Sequence, residues 1–271
     1  MKVGISTASL FMRLYNEDAV ALIEEWGAET SEVFFTSFCE YEPSFAKALL
    51  QKKGPLNVNS VHVLNTQFEP QLFSAHPRVR QDAYSWLDKV LASARILGAE
   101  HYTFHGIARL KSTFKENLKR SGEQLSALAA YCKKKGVTLC LENVEWALYN
   151  RAGVFKELKK YGGGFKSVLD IKQAMISGCA YEDYLDDMGS DLAYVHVSDY
   201  TDTGKKCLPG KGIFNFEELF KRLQGGGFDG ALIIENYNDD YRELKELKDS
   251  YDYLLEKAEK NFQITCRNPL K

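Results

Sequence analysis

Six ionisable residues stand near the C-terminal ends of six short β-rich runs. They are His62 in VNSVHV, His105 in HYTFH, Glu142 in VTLCLEN, Asp170 in FKSVLDI, His196 in LAYVHVSD and Glu235 in GALIIENY. Imidazoles and carboxylates are the side chains best suited to carry protons or to hold a divalent metal near neutral pH. Three carboxylates crowded together repel one another and resist ionising, and a divalent cation removes that conflict. A mixed His/carboxylate set suits Mn²⁺, Zn²⁺, Fe²⁺ or Co²⁺, whereas an all-oxygen set would favour Mg²⁺ or Ca²⁺. A lone strand histidine is ordinarily a satisfied core residue, but a carboxylate is seldom buried without a partner. Glu142, Asp170, His196 and Glu235, on four successive runs, are therefore the expected metal ligands. His62 and His105 are expected to extend the site into a pocket that contacts substrate or a second ion.

The elements that would bring these residues together are legible as an alternation. Two further runs, KVGIST and TSEVFF, precede the six, which makes eight with helical patterns between them. Each run is rich in the β-branched and aromatic residues that strands favour. Segments such as AVALIEEWGAE and VRQDAYSWLDKVLASARILGAE read as helices that stop at a glycine. Eight strand–helix units imply a parallel sheet closed into a (β/α)8 barrel, and a 271-residue chain matches the roughly 250 residues of one such barrel. A single domain over residues 1–271 is expected. An open doubly wound sheet is the alternative, but its GxGxxG loop is absent.

Strand parity sharpens the choice, because successive side chains point to opposite faces. Val61 and Val63 oppose His62, Leu139 and Leu141 oppose Glu142, Leu169 and Ile171 oppose Asp170, Val195 and Val197 oppose His196, and Leu232 and Ile234 oppose Glu235. One face is thus apolar, for covering helices. The other carries an ionisable group near its C-terminal end, where barrel enzymes open their active sites.

Composition narrows the function. The net charge is −2 and the sequence pI is about 6.3, without the basic excess of a dedicated nucleic-acid binder. Six scattered cysteines form no CxxC pair. The N-terminal stretch has no clean signal pattern, and no run approaches the roughly 18 apolar residues of a membrane span. The expectation is a cytoplasmic enzyme with reduced thiols, a small-molecule substrate and no nucleic-acid or membrane partner. Self-association into a homo-oligomer is left open.

The motifs LEN at 141–143, LD at 169–170, VHVSD at 195–199, LPGKG at 208–212 and IIEN at 233–236 resemble the xylose isomerase-like superfamily over nearly the whole chain. That group includes sugar and sugar-phosphate isomerases and epimerases, inosose and dehydroshikimate dehydratases, and abasic-site nucleases of the endonuclease IV type. The resemblance to its ketose 3-epimerases implies that Glu142, Asp170, His196 and Glu235 bind one metal, usually Mn²⁺. It also implies that Glu142 and Glu235 act as acid and base across the bound sugar. A metal-stabilised enediolate with two opposed carboxylates would accomplish isomerisation or epimerisation of a sugar or sugar phosphate.

The chain departs from the family pattern at LDIKQA. Gln173 stands where a histidine is common, with Lys172 before it. Glutamine can hydrogen-bond a substrate oxygen but is a poor ligand for a transition metal. DYTDTGKK, with Lys205 and Lys206, follows His196 where the epimerases carry an arginine. A metal-dependent dehydratase of a polyol-derived ketone is an alternative reading. An abasic-site phosphodiesterase is a second, weakened by Gln173, by the absence of any histidine after His196 and by the near-neutral charge. Substrate contacts are expected from His62, His105, Gln173 and Trp146. Among the remaining residues, His101 is assigned to the barrel floor and His76 to the surface. Arg109 and Lys111 read as a solvated loop within reach of a substrate phosphate, Gly210 and Gly212 as shapers of a loop, and FQITCRNPLK as lying outside the barrel.

Overall fold

The computed structural model describes residues 1–64, 66–109 and 117–262. Lys111, Cys266 and the last nine residues of FQITCRNPLK lie outside them. The eight runs form the strands β1 (Lys2–Ser6), β2 (Thr30–Phe35), β3 (Asn57–Val63), β4 (His101–Phe104), β5 (Thr138–Glu142), β6 (Lys166–Asp170), β7 (Leu192–Val197) and β8 (Ala231–Ile234). They pair in parallel as one closed barrel. The ring is completed by β8, which pairs with β7 on one side and with β1 on the other, Lys2 opposite Ala231 and Ile5 opposite Ile234.

Strand parity holds in three dimensions. Cys140, Val168, Tyr194 and Ile233 pack together in the barrel interior. Their neighbours of opposite parity, including Leu139, Leu141, Leu169, Val195, Val197, Leu232 and Ile234, belong to the core between strands and helices. That outer core is covered by helices such as α4 (Pro77–Leu97) and α5 (Leu118–Lys134). Gly98 ends α4 at φ 77°, and its N–H donates to the carbonyls of Ala94 and Arg95, the left-handed stop that only glycine adopts without strain.

Several strands stop earlier than the runs suggest. β4 ends at Phe104 and β8 at Ile234, so His105 and Glu235 stand one residue past the ladder. Other bonds hold them there. The Glu235 N–H donates to Val197 O (3.1 Å), and the His105 N–H donates to Oε2 of Glu69 (3.1 Å). The register between β2 and β3 shifts at Ser31/Glu32, and that between β6 and β7 at Ser167/Val168. Bulges of this kind re-aim side chains and are frequent beside active sites.

LPGKG is tied down by one carboxylate. Oδ2 of Asp199 accepts the N–H of Gly210 and of Gly212, both at 3.0 Å, while Oδ1 accepts the N–H of Tyr200 (2.7 Å) and of Phe214 (2.9 Å). A Cβ at position 212 would fall 2.3 Å from Asp199 Oδ1, so a glycine is needed for the approach. Lys211 is exposed. No helix among the described residues is long and apolar enough to cross a membrane.

Candidate metal centre

Strand ends deliver the four expected ligands to one place. Glu142 closes β5, Asp170 closes β6, His196 lies on β7 and Glu235 follows β8. All four are buried, and each offers a ligand atom within 4.8 Å of the others. Nδ1 of His196 lies 3.0 Å from Glu142 Oε1, 3.6 Å from Glu235 Oε2 and 4.0 Å from Asp170 Oδ2. An ion with bonds of about 2.0–2.2 Å spans ligand atoms separated by about 3–4 Å, so these atoms suit a divalent cation. The Asp170 carboxylate also caps α7 (Ile171–Ile176), with Oδ1 accepting the Gln173 N–H (2.7 Å). That bond leaves Oδ2 turned to the centre.

Each glutamate divides its two oxygens. Glu142 points Oε1 at His196, and its Oε2 lies 3.5 Å from His105 Nε2 and 3.9 Å from His62 Nε2. Glu235 points Oε2 at His196, and its Oε1 lies 3.3 Å from His62 Nδ1. That last pair is misaligned for a hydrogen bond, which leaves Glu235 Oε1 and His62 Nδ1 buried without an aligned partner. Buried polar atoms left open need an explanation, and an ion or substrate oxygen in the centre would supply one.

Behind the ligands lies a polar layer that the six-residue reading did not include. Glu32 on β2 is fully buried. Its Oε2 lies 3.2 Å from His196 Nε2 and accepts the hydroxyls of Ser60 (2.8 Å) and Thr103 (2.6 Å). Its Oε1 accepts the Ser6 hydroxyl (3.1 Å) and lies 3.4 Å from His62 Nδ1. A second hidden carboxylate, Glu69 of the short helix α3 (Phe68–Gln71), accepts the Tyr102 hydroxyl (2.6 Å) and faces His105 Nδ1 (3.1 Å). With Nδ1–H of His105 directed at Glu69, its Nε2 is the atom that meets His62 Nε2 at 2.9 Å.

The third unforeseen residue is Lys172, in the first turn of α7. Its ammonium is buried, 3.0 Å from Glu235 Oε2 and 3.3 Å from Asp170 Oδ2. Those are the two oxygens that also face His196.

Burial and close charges pull the titrations apart. Burial alone would raise the Glu32 carboxyl, but His196 and His62 override it and hold the group well below the usual range. Burial would lower His62, yet Glu32 and Glu235 raise it to about 10. His196 is likewise raised against burial, by Glu32 and Glu235. Asp170 goes the other way for a carboxylate. Burial, reinforced by Glu142 and Glu235, pushes it up to about 7 despite Lys172. Lys172 is held protonated by Asp170 and Glu235 in spite of its burial.

A cavity of about 160 Å³ opens over the centre, lined among others by Phe34, His62, His105, Trp146, Gln173 and Tyr237. Trp146 stacks on the His105 ring at 5.4 Å. Gln173 Oε1 accepts the Glu145 N–H (3.3 Å). Larger clefts exist elsewhere. One of about 480 Å³, lined by residues that include Lys166, Leu192 and Arg222, lies at the strand N-termini, the end of the barrel that carries stability rather than chemistry. His101 also lies at that end, facing Asn59 O (3.1 Å), and His76 is exposed. Arg109 is exposed, with its backbone N–H donated to Trp146 O (2.9 Å).

Known proteins share this arrangement at the level of the fold. An uncharacterized protein of Mycobacterium tuberculosis is 24% identical over 271 positions, covering 91% of this chain and 92% of that protein. The crystal structure of a D-tagatose 3-epimerase-like protein superposes with a TM-score of 0.79 at 20% identity, over 97% of this chain and 99% of that one. The IolI protein with a bound zinc atom superposes with a TM-score of 0.72 at 16% identity, over 97% and 96%. The xylose isomerase-like TIM barrel family matches residues 20–257. The chain belongs to that family.

Proposed function

We propose that this chain is a divalent-metal-dependent isomerase or epimerase acting on a sugar or sugar phosphate. The observation that carries the reading is the division of oxygens on Glu142 and Glu235, one toward the ligand cluster and one toward the cavity-side histidines. Similarity to a sugar epimerase-like structure supports the choice of substrate class. Glu142, Asp170, His196 and Glu235 would hold the metal, with Mn²⁺ the first candidate and Zn²⁺, Co²⁺ or Fe²⁺ compatible with the same donors. When bound, the metal supplies Lewis-acid stabilisation of negative charge on a substrate carbonyl oxygen.

The rest of the chemistry belongs to the chain. One glutamate takes the proton from the carbon beside the carbonyl, and the other returns a proton from the opposite side. His62, held protonated by Glu32 and Glu235, would donate an N–H to a substrate oxygen, and His105, with Nδ1–H directed at Glu69, would offer Nε2 as an acceptor for a substrate hydroxyl. Phe34 and Trp146 supply apolar walls on which a sugar face can rest. The test is to load the full chain with Mn²⁺ or Co²⁺ and incubate it with ketoses and ketose phosphates in deuterated water. Deuterium should enter carbon next to the carbonyl of at least one sugar, read by NMR. Loss of water from a substrate without exchange would assign the chain to dehydration, and silence across a broad panel would remove the sugar reading.

A further inference from the structure

The two oxygens that Lys172 holds belong to two of the four residues that would bind a metal ion. Its Nζ lies 3.0 Å from Glu235 Oε2 and 3.3 Å from Asp170 Oδ2, and both oxygens also face His196 Nδ1. Its backbone is fixed in the first turn of α7, two residues after the cap formed by Asp170. The stem therefore has a set origin, but its four carbons are flexible. The side chain also lines the cavity, and the Tyr237 ring lies 4.8 Å from the ammonium, with Lys206 over the same ring at 5.5 Å.

We propose that Lys172 is an internal counter-cation that competes with the divalent ion for Asp170 and Glu235, and that loading the site swings its ammonium off both carboxylates and further into the cavity it lines. Without an ion, four buried carboxylates, Glu32, Glu142, Asp170 and Glu235, converge, and the lysine supplies positive charge where two of them meet. With an ion, two cations would share the same oxygens, and their repulsion favours the lysine's departure into the cavity that it lines. The Tyr237 ring, already 4.8 Å from the ammonium, is a favourable partner that it need not give up on leaving the carboxylates. The site would thus be preassembled before loading, at the expense of affinity. This inference rests on the proposal that the four ligands hold a metal.

The experiment uses the full chain, stripped of metal by chelation, at one fixed pH. Mn²⁺ binding is followed by the electron paramagnetic resonance signal of the free ion for the wild type, Lys172→Met and Lys172→Gln. Both variants should bind Mn²⁺ at least about tenfold more tightly, as expected for removal of a neighbouring like charge. Metal-free, they should melt below the wild type and gain more on adding Mn²⁺. Affinity equal to or weaker than wild type in a folded variant overturns the proposal. Should neither variant fold, a wild-type crystal soaked in Mn²⁺ decides the question. Nζ withdrawn from both carboxylates supports the swing, and Nζ still bonded to both with the ion in place refutes it. Failure of wild type and folded variants alike to bind Mn²⁺ or Zn²⁺ would instead remove the metal reading itself.

Discussion

Nε2 of His196 lies 3.2 Å from Oε2 of Glu32, which turns Nδ1 of the same ring toward Glu142, Asp170 and Glu235. A carboxylate behind a metal-binding histidine fixes its orientation and raises its basicity. Glu32→Gln should therefore weaken Mn²⁺ binding by about 10–100-fold while leaving the barrel folded. Glu32→Asp, which keeps the charge, should recover part of the loss. Calorimetric titration reads both, and unchanged affinity in a folded Glu32→Gln protein would reduce Glu32 to a packing residue.

Metal binding should release protons. Asp170 keeps its proton up to about pH 7, and His196 is held protonated beyond its usual range, so protons compete with the ion for both. Affinity should rise with pH through 7 and go on rising above it. Calorimetry in two buffers of different ionisation enthalpy, at pH 7, should report net proton release. Binding enthalpies that do not depend on the buffer would show that neither Asp170 nor His196 carries a proton in the metal-free site.

The metal-free protein should lose stability as the solution becomes alkaline, in part through His62. Its pKa is near 6.5 when unfolded and about 10 when folded. A raised folded value means that the contribution is complete below the unfolded pKa and fades as pH climbs toward 10. His62→Gln should flatten the difference in melting temperature between pH 7 and pH 10 relative to wild type. Parallel curves for the two proteins would show that His62 contributes nothing to this loss.

Glu142→Gln and Glu235→Gln should each reduce turnover by about 10²–10⁴-fold, the range for loss of a general acid or base. Metal content must be measured alongside, because each residue is also a proposed ligand. Loss of turnover at full occupancy identifies proton transfer, whereas loss that tracks the metal identifies ligation alone.

Asp199→Ala tests the carboxylate that ties down the loop. It would leave the N–H groups of Tyr200, Gly210, Gly212 and Phe214 without their shared acceptor. A loss of about 3 kcal/mol, or roughly 6–12 °C in melting temperature, is expected. A melting temperature unchanged from wild type would show that water replaces the carboxylate.

Much of the site is legible in the amino-acid sequence, because closure of a parallel barrel makes parity decisive. His62, Glu142, Asp170 and His196 alternate with apolar neighbours along single strands, and the fold then brings them together. Glu32 was open to the same reasoning. Within TSEVFF it shares a face with Phe34 and opposes Val33 and Phe35, but an acidic residue near the middle of a β-rich run does not advertise itself as a strand end does. Lys172 and Glu69 lie beyond that logic. Lys172 sits past the end of β6, where strand alternation no longer applies and only the helix cap at Asp170 decides where the stem begins. Glu69 belongs to a four-residue helix, too short to show a period. The interior of the site is thus written in strand alternation, and its supporting polar partners in connections whose course no local pattern reveals.

The ring order of the strands has a consequence for how the molecule is made. Glu235 follows the strand that pairs with β1 and β7 at once, so the fourth proposed ligand arrives with the last staple of the ring. A growing chain that has not yet reached Ala231 holds three of the proposed ligands and two unpaired sheet edges. If these residues hold an ion as proposed, its capture with full affinity and circular closure of the sheet are one event, and the appearance of tight binding during refolding would time the moment at which the two ends of the barrel meet.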